Sequence, residues 1–137
     1  MVDEAFRNFV TERAGSRCEY CRLHQNEGRP YRFPVDRIIA GQHGGTYDPQ
    51  NTALSCHECN AKKGPNIAGV DPDDGAVVRL FNPRTQKWSD HFHFRGANIV
   101  GVTPTGRATV QTLGMNEEDR VLLRAELGYP HTLQDEQ

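Results

Sequence analysis

The chain has 137 residues, of which 36% are hydrophobic and 25% are charged, and this size and composition suit a single domain with a modest core. Its formal net charge of -2 lacks the positive excess of most nucleic-acid-binding proteins, although a local basic face can serve the same purpose. No run approaches the roughly 18 apolar residues of a membrane-spanning helix, and no N-terminal apolar run indicates secretion. We therefore expect one cytoplasmic domain over residues 1–137, with no membrane partner.

The first half of the chain predicts a helix, two short strands and a second helix. Residues 3–14 predict a helix, because apolar side chains repeat there at helical spacing. Residues 33–40 and 52–55 predict strands, which are separated by a loop rich in turn-forming residues. The second helix is expected to start near Cys56 and to end by Gly64.

The second half is less regular. Residues 76–81 predict a strand, and alternating apolar residues on both sides of Gly96 predict a hairpin. A final helix is expected over residues 117–127, capped by Asn116. We expect the apolar residues of that helix to face the core: Val121, Leu122, Ala125 and Leu127.

All four cysteines fall in two Cys-x-x-Cys pairs, Cys18 with Cys21 and Cys56 with Cys59. Such a pair on a tight turn presents two thiolates to one tetrahedral ion, and two pairs complete the coordination shell. The spacing therefore predicts one structural zinc ion. Two disulfides are the alternative, but nothing indicates an oxidising compartment. Redox catalysis by one pair is disfavoured, because the chain shows no thioredoxin-like βαβ pattern.

Several further motifs follow one another in a specific order. These are Val35-Asp36-Arg37-Ile38-Ile39, then His43-Gly44-Gly45, then Asn51, and then Cys56-x-x-Cys59-Asn60-x-x-Lys63-Gly64. Residues 18–66 thereby resemble the HNH endonuclease family, and residues 67–127 resemble the tail of one bacterial branch of it. The resemblance implies an α+β fold: a zinc-braced, treble-clef-like ββα-metal core over about residues 16–66 with an N-terminal helix. A hairpin and a helix follow in a C-terminal extension over residues 67–137.

The resemblance also assigns roles to individual residues. Asp36 and Asn60 correspond to the ligands of one catalytic divalent ion, and Asn51 to the residue that orients the general base. Oxygen ligands of this kind suit Mg²⁺ or Mn²⁺, which a single carboxylate and a single amide would bind weakly. Each residue can also have a purely structural role. Asp36 can form an ion pair at the end of a strand, and Asn60 and Asn51 can bond to the loop backbone.

Arg37 occupies the position at which the family has its general base, a histidine. A guanidinium group cannot act as a base, because it does not deprotonate in proteins. The site can therefore be weak or inactive, Arg37 can instead grip the scissile phosphate, or the chain can be a variant of an active parent. Among the other histidines, His43 is the best placed substitute base, because it lies on the loop that follows the first strand.

Lys62 and Lys63 follow the expected metal site and are candidates for contacts with nucleic-acid phosphates, although surface lysines are common without such a role. We expect a metal-dependent HNH endonuclease that hydrolyses DNA. The expected substrate is double-stranded, and a larger protein complex is a candidate partner. The alternative is a catalytically impaired HNH-like module that binds nucleic acid or a partner protein. A zinc-stabilised structural domain is the third interpretation.

Overall fold

The computed structural model of the chain describes residues 2–130. The contacts within it divide the chain into two compact units, Met1–Ile67 and Ala68–Gln137. The boundary lies one residue from the predicted end of the zinc-braced core at residue 66. That residues 1–137 act as a single domain stays a prediction.

The first unit contains two α-helices and one two-stranded antiparallel sheet. Its elements are α1 (Glu4–Arg13), β1 (Val35–Arg37), β2 (Thr52–Leu54) and α2 (His57–Lys63), with 3-10 turns at Gln25–Glu27, Gly41–His43 and Pro49–Asn51. The side chain of Asp3 caps α1 by accepting a hydrogen bond from the Phe6 amide at 2.8 Å. The predicted elements of this half are confirmed, although β1 is shorter than the run 33–40.

The strands β1 and β2 and the helix α2 form a ββα arrangement. In the β1–β2 pair, Asp36 lies opposite Ala53 and Arg37 lies opposite Thr52. The thiol of Cys56 caps α2 by accepting a hydrogen bond from the Cys59 amide at 3.3 Å, and Gly64 ends the helix. The sulfur of Cys56 thus takes the place of the side-chain oxygen that usually caps a helix. Because Cys56 closely follows β2 in the sequence, the strand leads directly into the helix.

The second unit contains two antiparallel hairpins and three α-helices within its described part. In chain order these are β3 (Ala68–Val70), β4 (Val77–Arg79), α3 (Trp88–His91), β5 (Phe92–Arg95), β6 (Asn98–Gly101), α4 (Pro104–Thr112) and α5 (Glu118–Glu126). Trp88 packs against Phe92 and Phe94, with ring centroids 5.1 and 5.6 Å apart. The predicted α+β fold, hairpin around Gly96 and final helix are confirmed. The expected cap is wrong, because the side chain of Asn116 bonds to the backbone of Ile99 instead of capping α5.

The helix α4 was not predicted, although its start carries a recognisable signal. Thr103 accepts a hydrogen bond from the Gly106 amide at 2.9 Å, and Pro104 occupies the first helical turn. Gly106 and the β-branched residues that follow it weaken the helical pattern of the sequence. Glycine is required here, because a Cβ on Gly106 would lie 2.1 Å from the carbonyl oxygen of His91.

The expected apolar face of α5 is wrong. Leu122 is 56% exposed, whereas Arg120 and Arg124 are buried. The guanidinium of Arg120 donates to the carbonyl oxygens of Leu113 and Gly114, and that of Arg124 to those of Ala97 and Met115. The two buried arginines of the helix therefore spend their donors on backbone carbonyls within the second unit rather than on solvent. Throughout residues 2–130, no helix has both the length and the apolar character needed to cross a bilayer.

Candidate functional site

The four cysteines meet at one buried point of the first unit. Their sulfur atoms all lie within 4.8 Å of one another, and none of the four forms a disulfide. The sulfurs of Cys21 and Cys56 are 3.7 Å apart. Zn–S bonds of about 2.3 Å in a tetrahedron place sulfurs about 3.8 Å apart. The cluster is thus positioned to bind one metal ion, and its geometry fits the predicted structural zinc.

The surroundings of the cysteines favour the protonated thiol unless a metal ion is bound. Hydrogen bonding to the Cys18 thiol raises the pKa of Cys56, and burial raises the pKa of Cys59. The backbone amides of Cys21 and Cys59 donate to the sulfurs of Cys18 and Cys56 at 3.4 and 3.3 Å. These amides stabilise sulfur as thiolate once a metal ion displaces the protons.

A separate cavity of about 370 Å³ opens in the first unit, at the end of β1 and beside α2. Its lining includes Asp36 and Arg37 from β1 and Asn60 from α2, together with Gly41 and Tyr47 from the loop between the strands. The structure thus brings three of the predicted site residues together. Their joint action in catalysis stays a prediction.

The Asp36 carboxylate, which lines this cavity, already has a hydrogen-bond partner and an ion-pair partner within the fold. Its carboxylate is 5% exposed, accepts a hydrogen bond from the Tyr20 hydroxyl at 2.8 Å and pairs with the Lys63 ammonium at 3.3 Å. Burial raises the pKa of Asp36, although Lys63 and Tyr20 both act in the opposite direction. Burial also raises the pKa of Tyr20, which keeps the hydroxyl protonated and donating. A metal ion bound by Asp36 would share the carboxylate with Lys63.

Lys63 is a structural residue rather than a surface one. It is 1% exposed, and its ammonium also donates to the carbonyl oxygens of Arg37 and Ile38, both at 3.1 Å. The prediction that Lys63 contacts nucleic acid is therefore corrected, because its three donors are used inside the fold. Lys62 is exposed, and its contact with nucleic acid stays a prediction. Sequence reasoning missed the pairing of Asp36 with Lys63 and Tyr20, which only the folded chain brings together.

Asn60 differs from Asp36 in its burial and in its hydrogen bonding. Its side chain is half-buried and lines the cavity, and its amide has no hydrogen-bond partner within residues 2–130. The amide oxygen is thus available to a ligand. Together with the Asp36 carboxylate it offers two hard oxygen donors, the type that Mg²⁺ and Mn²⁺ prefer.

Arg37 points its guanidinium at the ring of Tyr47, with 4.6 Å between the central carbon and the ring centroid. In the described part of the chain, no acceptor is hydrogen-bonded to this guanidinium. Tyr47 gave no signal in the sequence, because its partner is ten positions away and across a turn.

Asn51 and His43, the two predicted site residues in the loop between the strands, do not line the cavity. The Asn51 amide donates to the carbonyl oxygens of Ile39 and Thr46 at 3.0 and 2.8 Å and accepts from the Ile39 amide at 2.9 Å. Asn51 therefore holds the loop between the strands, which is the structural role that the sequence analysis gave as its alternative. His43 is exposed and does not line the cavity, so it gains no support as a substitute base.

The first comparison with known proteins concerns the segment that carries the cavity and the cysteine cluster. Residues 18–66 match the model of the HNH endonuclease family. This match confirms the predicted resemblance of residues 18–66 to the HNH endonuclease family.

The second comparison covers more of the chain. Over 118 residues the chain is 25% identical to the Septu protein PtuB of Bacillus thuringiensis. The match includes 82% of this chain but 42% of PtuB, so the chain spans less than half the length of that relative. No solved structure matches the chain.

Proposed function

We propose that this chain is a metal-dependent endonuclease that hydrolyses phosphodiester bonds of double-stranded DNA. One observation carries the proposal: Asp36, Arg37 and Asn60 line a single cavity inside the segment that matches the HNH family. The match supports a nuclease-type site, and the cavity offers oxygen donors and a positive charge where a phosphate would enter. The cysteine cluster supports the site as a brace, because Cys56 and Cys59 fix the start of the helix that carries Asn60.

Hydrolysis of a phosphodiester requires an activated water, stabilised negative charge and a neutralised leaving oxygen. In the proposed site, Asp36 and Asn60 would hold Mg²⁺ or Mn²⁺, which when bound stabilises the charge on the phosphate. Lys63 keeps the Asp36 carboxylate in position through its bonds to the carbonyls of Arg37 and Ile38. Arg37 adds positive charge beside these ligands but cannot take the proton of the water. Loss of a positioned base typically costs about 10²- to 10⁴-fold in rate, so we expect slow cleavage.

A catalytically impaired module that binds nucleic acid or a partner protein is the alternative. Two points support it. The resemblance assigns the position of Arg37 to the general base, and the ammonium of Lys63 lies 3.3 Å from the carboxylate that would hold the metal ion. A built-in cation beside Asp36 competes electrostatically with an added one.

The formal net charge of -2 supports a further partner. A nuclease that binds DNA through its own surface usually carries a positive excess. We therefore propose that a larger protein complex supplies part of the DNA affinity and the choice of target.

Cleavage of supercoiled plasmid tests the proposed function. The chain is incubated with plasmid and Mg²⁺ or Mn²⁺, with a chelator as control, beside Arg37→His and Asp36→Asn. We expect slow nicking by the unaltered chain, none by Asp36→Asn, and faster nicking by Arg37→His at saturating protein, because an imidazole restores a base.

The possible outcomes separate the interpretations. Equal and rapid cleavage by the unaltered chain and Arg37→His would show that residue 37 does not occupy the base position. Activity in Arg37→His alone would favour the impaired module. Absence of both cleavage and DNA retention in all three proteins would contradict a nuclease or nucleic-acid function.

A further inference from the structure

We infer that Arg37 binds a non-bridging phosphate oxygen of the DNA strand in this cavity, with Tyr47 and Gly41 as the residues that position its guanidinium. The inference rests on the proposed function for the identity of the ligand. It concerns binding rather than cleavage, so it is tested without turnover.

The guanidinium of Arg37 is charged, half-buried and available. It carries five N–H donors in a planar fork that matches the oxygens of a phosphate. None of those donors is hydrogen-bonded to the described part of the protein. Asp36 is its neighbour in the chain, but the oxygens of Asp36 are occupied by Tyr20 and Lys63. Arg37 therefore forms no hydrogen-bonded ion pair with Asp36, and its N–H donors remain available to an anion.

Tyr47 holds the guanidinium in one orientation. The ring lies 4.6 Å from the central carbon of the group, a distance typical of a cation–π contact. The neighbouring residue Thr46 is fixed by the amide of Asn51, which donates to its carbonyl at 2.8 Å. Asn51 thus contributes to the site indirectly, because it holds the loop that carries Tyr47.

Gly41 provides the room in which the guanidinium lies. A Cβ built on Gly41 would be 2.8 Å from Nη1 of Arg37 and 3.1 Å from its central carbon, closer than side chains tolerate. The clash involves only the end of a flexible side chain, so an alanine at position 41 would displace the guanidinium without disturbing the backbone.

The backbone of Arg37 is fixed as well. Its carbonyl oxygen accepts a hydrogen bond from the buried ammonium of Lys63 at 3.1 Å, and the residue pairs with Thr52 across the sheet. Both ends of a long side chain are therefore held before a ligand arrives. A positively charged group that is ordered in advance loses less conformational entropy when it binds.

The test measures binding of a fluorescent DNA duplex by anisotropy, with Ca²⁺ in place of Mg²⁺ to prevent cleavage. We expect Arg37→Ala to weaken binding about tenfold or more, as for loss of a charge-assisted hydrogen bond. The slope of the logarithm of affinity against the logarithm of salt concentration should fall by about 1. Arg95→Ala, which removes an exposed arginine of the second unit, should change the affinity by less than about twofold.

The positioning residues are tested through their coupling to Arg37. Gly41→Ala and Tyr47→Ala should weaken binding in the unaltered chain but have no further effect when Arg37→Ala is present, because both act through the same guanidinium. Tyr47→Phe should bind like the unaltered chain, since the ring is retained. Circular dichroism and zinc content check that each variant is folded.

Several results would overturn the inference: unaltered affinity in Arg37→Ala, no binding of the duplex by the unaltered chain, or equal effects of Gly41→Ala with and without Arg37. Loss of cleavage with this binding pattern intact would contradict only the proposed nuclease function. Cleavage accompanied by binding that does not depend on Arg37 would contradict only the phosphate contact.

Discussion

Single residues in and next to the cavity differ in how many contacts they make with the rest of the fold. Asp36 and Lys63 are 5% and 1% exposed and hold each other and the end of β1. The Asn60 amide, in contrast, has no hydrogen-bond partner within residues 2–130. We therefore expect substitution of Asp36 to change stability and site chemistry together, and substitution of Asn60 to change the site chemistry with little effect on stability.

The buried ammonium of Lys63 gives the first prediction. Lys63→Met keeps the length of the side chain but leaves the Asp36 carboxylate without its cation and two carbonyls without a donor. We expect a loss of about 3–5 kcal/mol in the free energy of unfolding, measured in urea. Lys62→Met is the matched control, and because Lys62 is exposed it should change stability by no more than about 0.5 kcal/mol. Equal effects of the two substitutions would show that the buried pair is not a stabilising contact of the fold.

At the scale of elements, local signals in the sequence predicted most of the fold. The helix over residues 3–14, the ββα order and the hairpin around Gly96 follow from short-range periodicity and turn residues, and all are present. The cysteine spacing located the four-cysteine cluster, because two Cys-x-x-Cys turns leave few other arrangements. These features depend on residues that are near one another in the chain.

Other features depend on contacts between distant residues and left no local pattern. The burial of Arg124 follows from carbonyls of Ala97 and Met115, which only the folded chain places beside α5. The stacking of Arg37 on Tyr47 and the pairing of Lys63 with Asp36 are of the same kind. Sequence motifs thus predicted Asp36, Arg37 and Asn60 of the residues that line the cavity, whereas Gly41, Tyr47 and the internal partners of Asp36 were not predicted.

An ion pair within the second unit joins the loop of the β3–β4 hairpin to α4. Asp71 is buried, and Arg107 donates to both of its carboxylate oxygens at 2.9 Å. Hydrogen bonding to Arg107 lowers the pKa of Asp71 below its ordinary value of 3.8. The unfolded chain therefore binds this proton more readily than the folded one, so the pair stabilises the fold above pH 3.8 and loses that effect as the pH falls through the lowered pKa.

The direction of this pH dependence gives a prediction for Asp71→Asn. The substitution removes the charge of the side chain and keeps its shape. The difference in the free energy of unfolding between the unaltered chain and the variant should be full at about pH 6 and clearly smaller at about pH 3. Urea titrations of both proteins at the two pH values measure it. A difference that stays the same at both pH values would contradict the lowered pKa.

On the scale of the whole molecule, we expect a metal ion in the four-cysteine cluster to compensate for a modest apolar core. Hydrophobic residues make up 36% of the chain, and small proteins of this composition are often stabilised by a metal ion. The cluster joins the turn after α1 to the start of α2, because Cys18 and Cys21 precede the sheet and Cys56 and Cys59 follow it. We therefore expect the position of Asn60 to depend on a metal ion bound by the four cysteines.

Cys56→Ser tests this dependence. The variant should lose about one equivalent of zinc, measured by elemental analysis, and should lose the folded signal of the first unit in circular dichroism. Serine at the cap of α2 keeps an acceptor for the Cys59 amide, so the loss would report on the metal ion rather than on the cap. A metal content unchanged from that of the unaltered chain would refute the four-cysteine site.

The central claim is that the cavity containing Asp36, Arg37 and Asn60 is the place where DNA is cut. Cleavage of a labelled duplex at saturating protein and Mn²⁺, compared between the unaltered chain and Asn60→Ala, tests it most directly, because the Asn60 amide has no hydrogen-bond partner in the described fold. The account predicts slow cleavage by the unaltered chain and none above background by Asn60→Ala, with equal zinc content and equal melting temperature. Equal cleavage rates in the two proteins would contradict it.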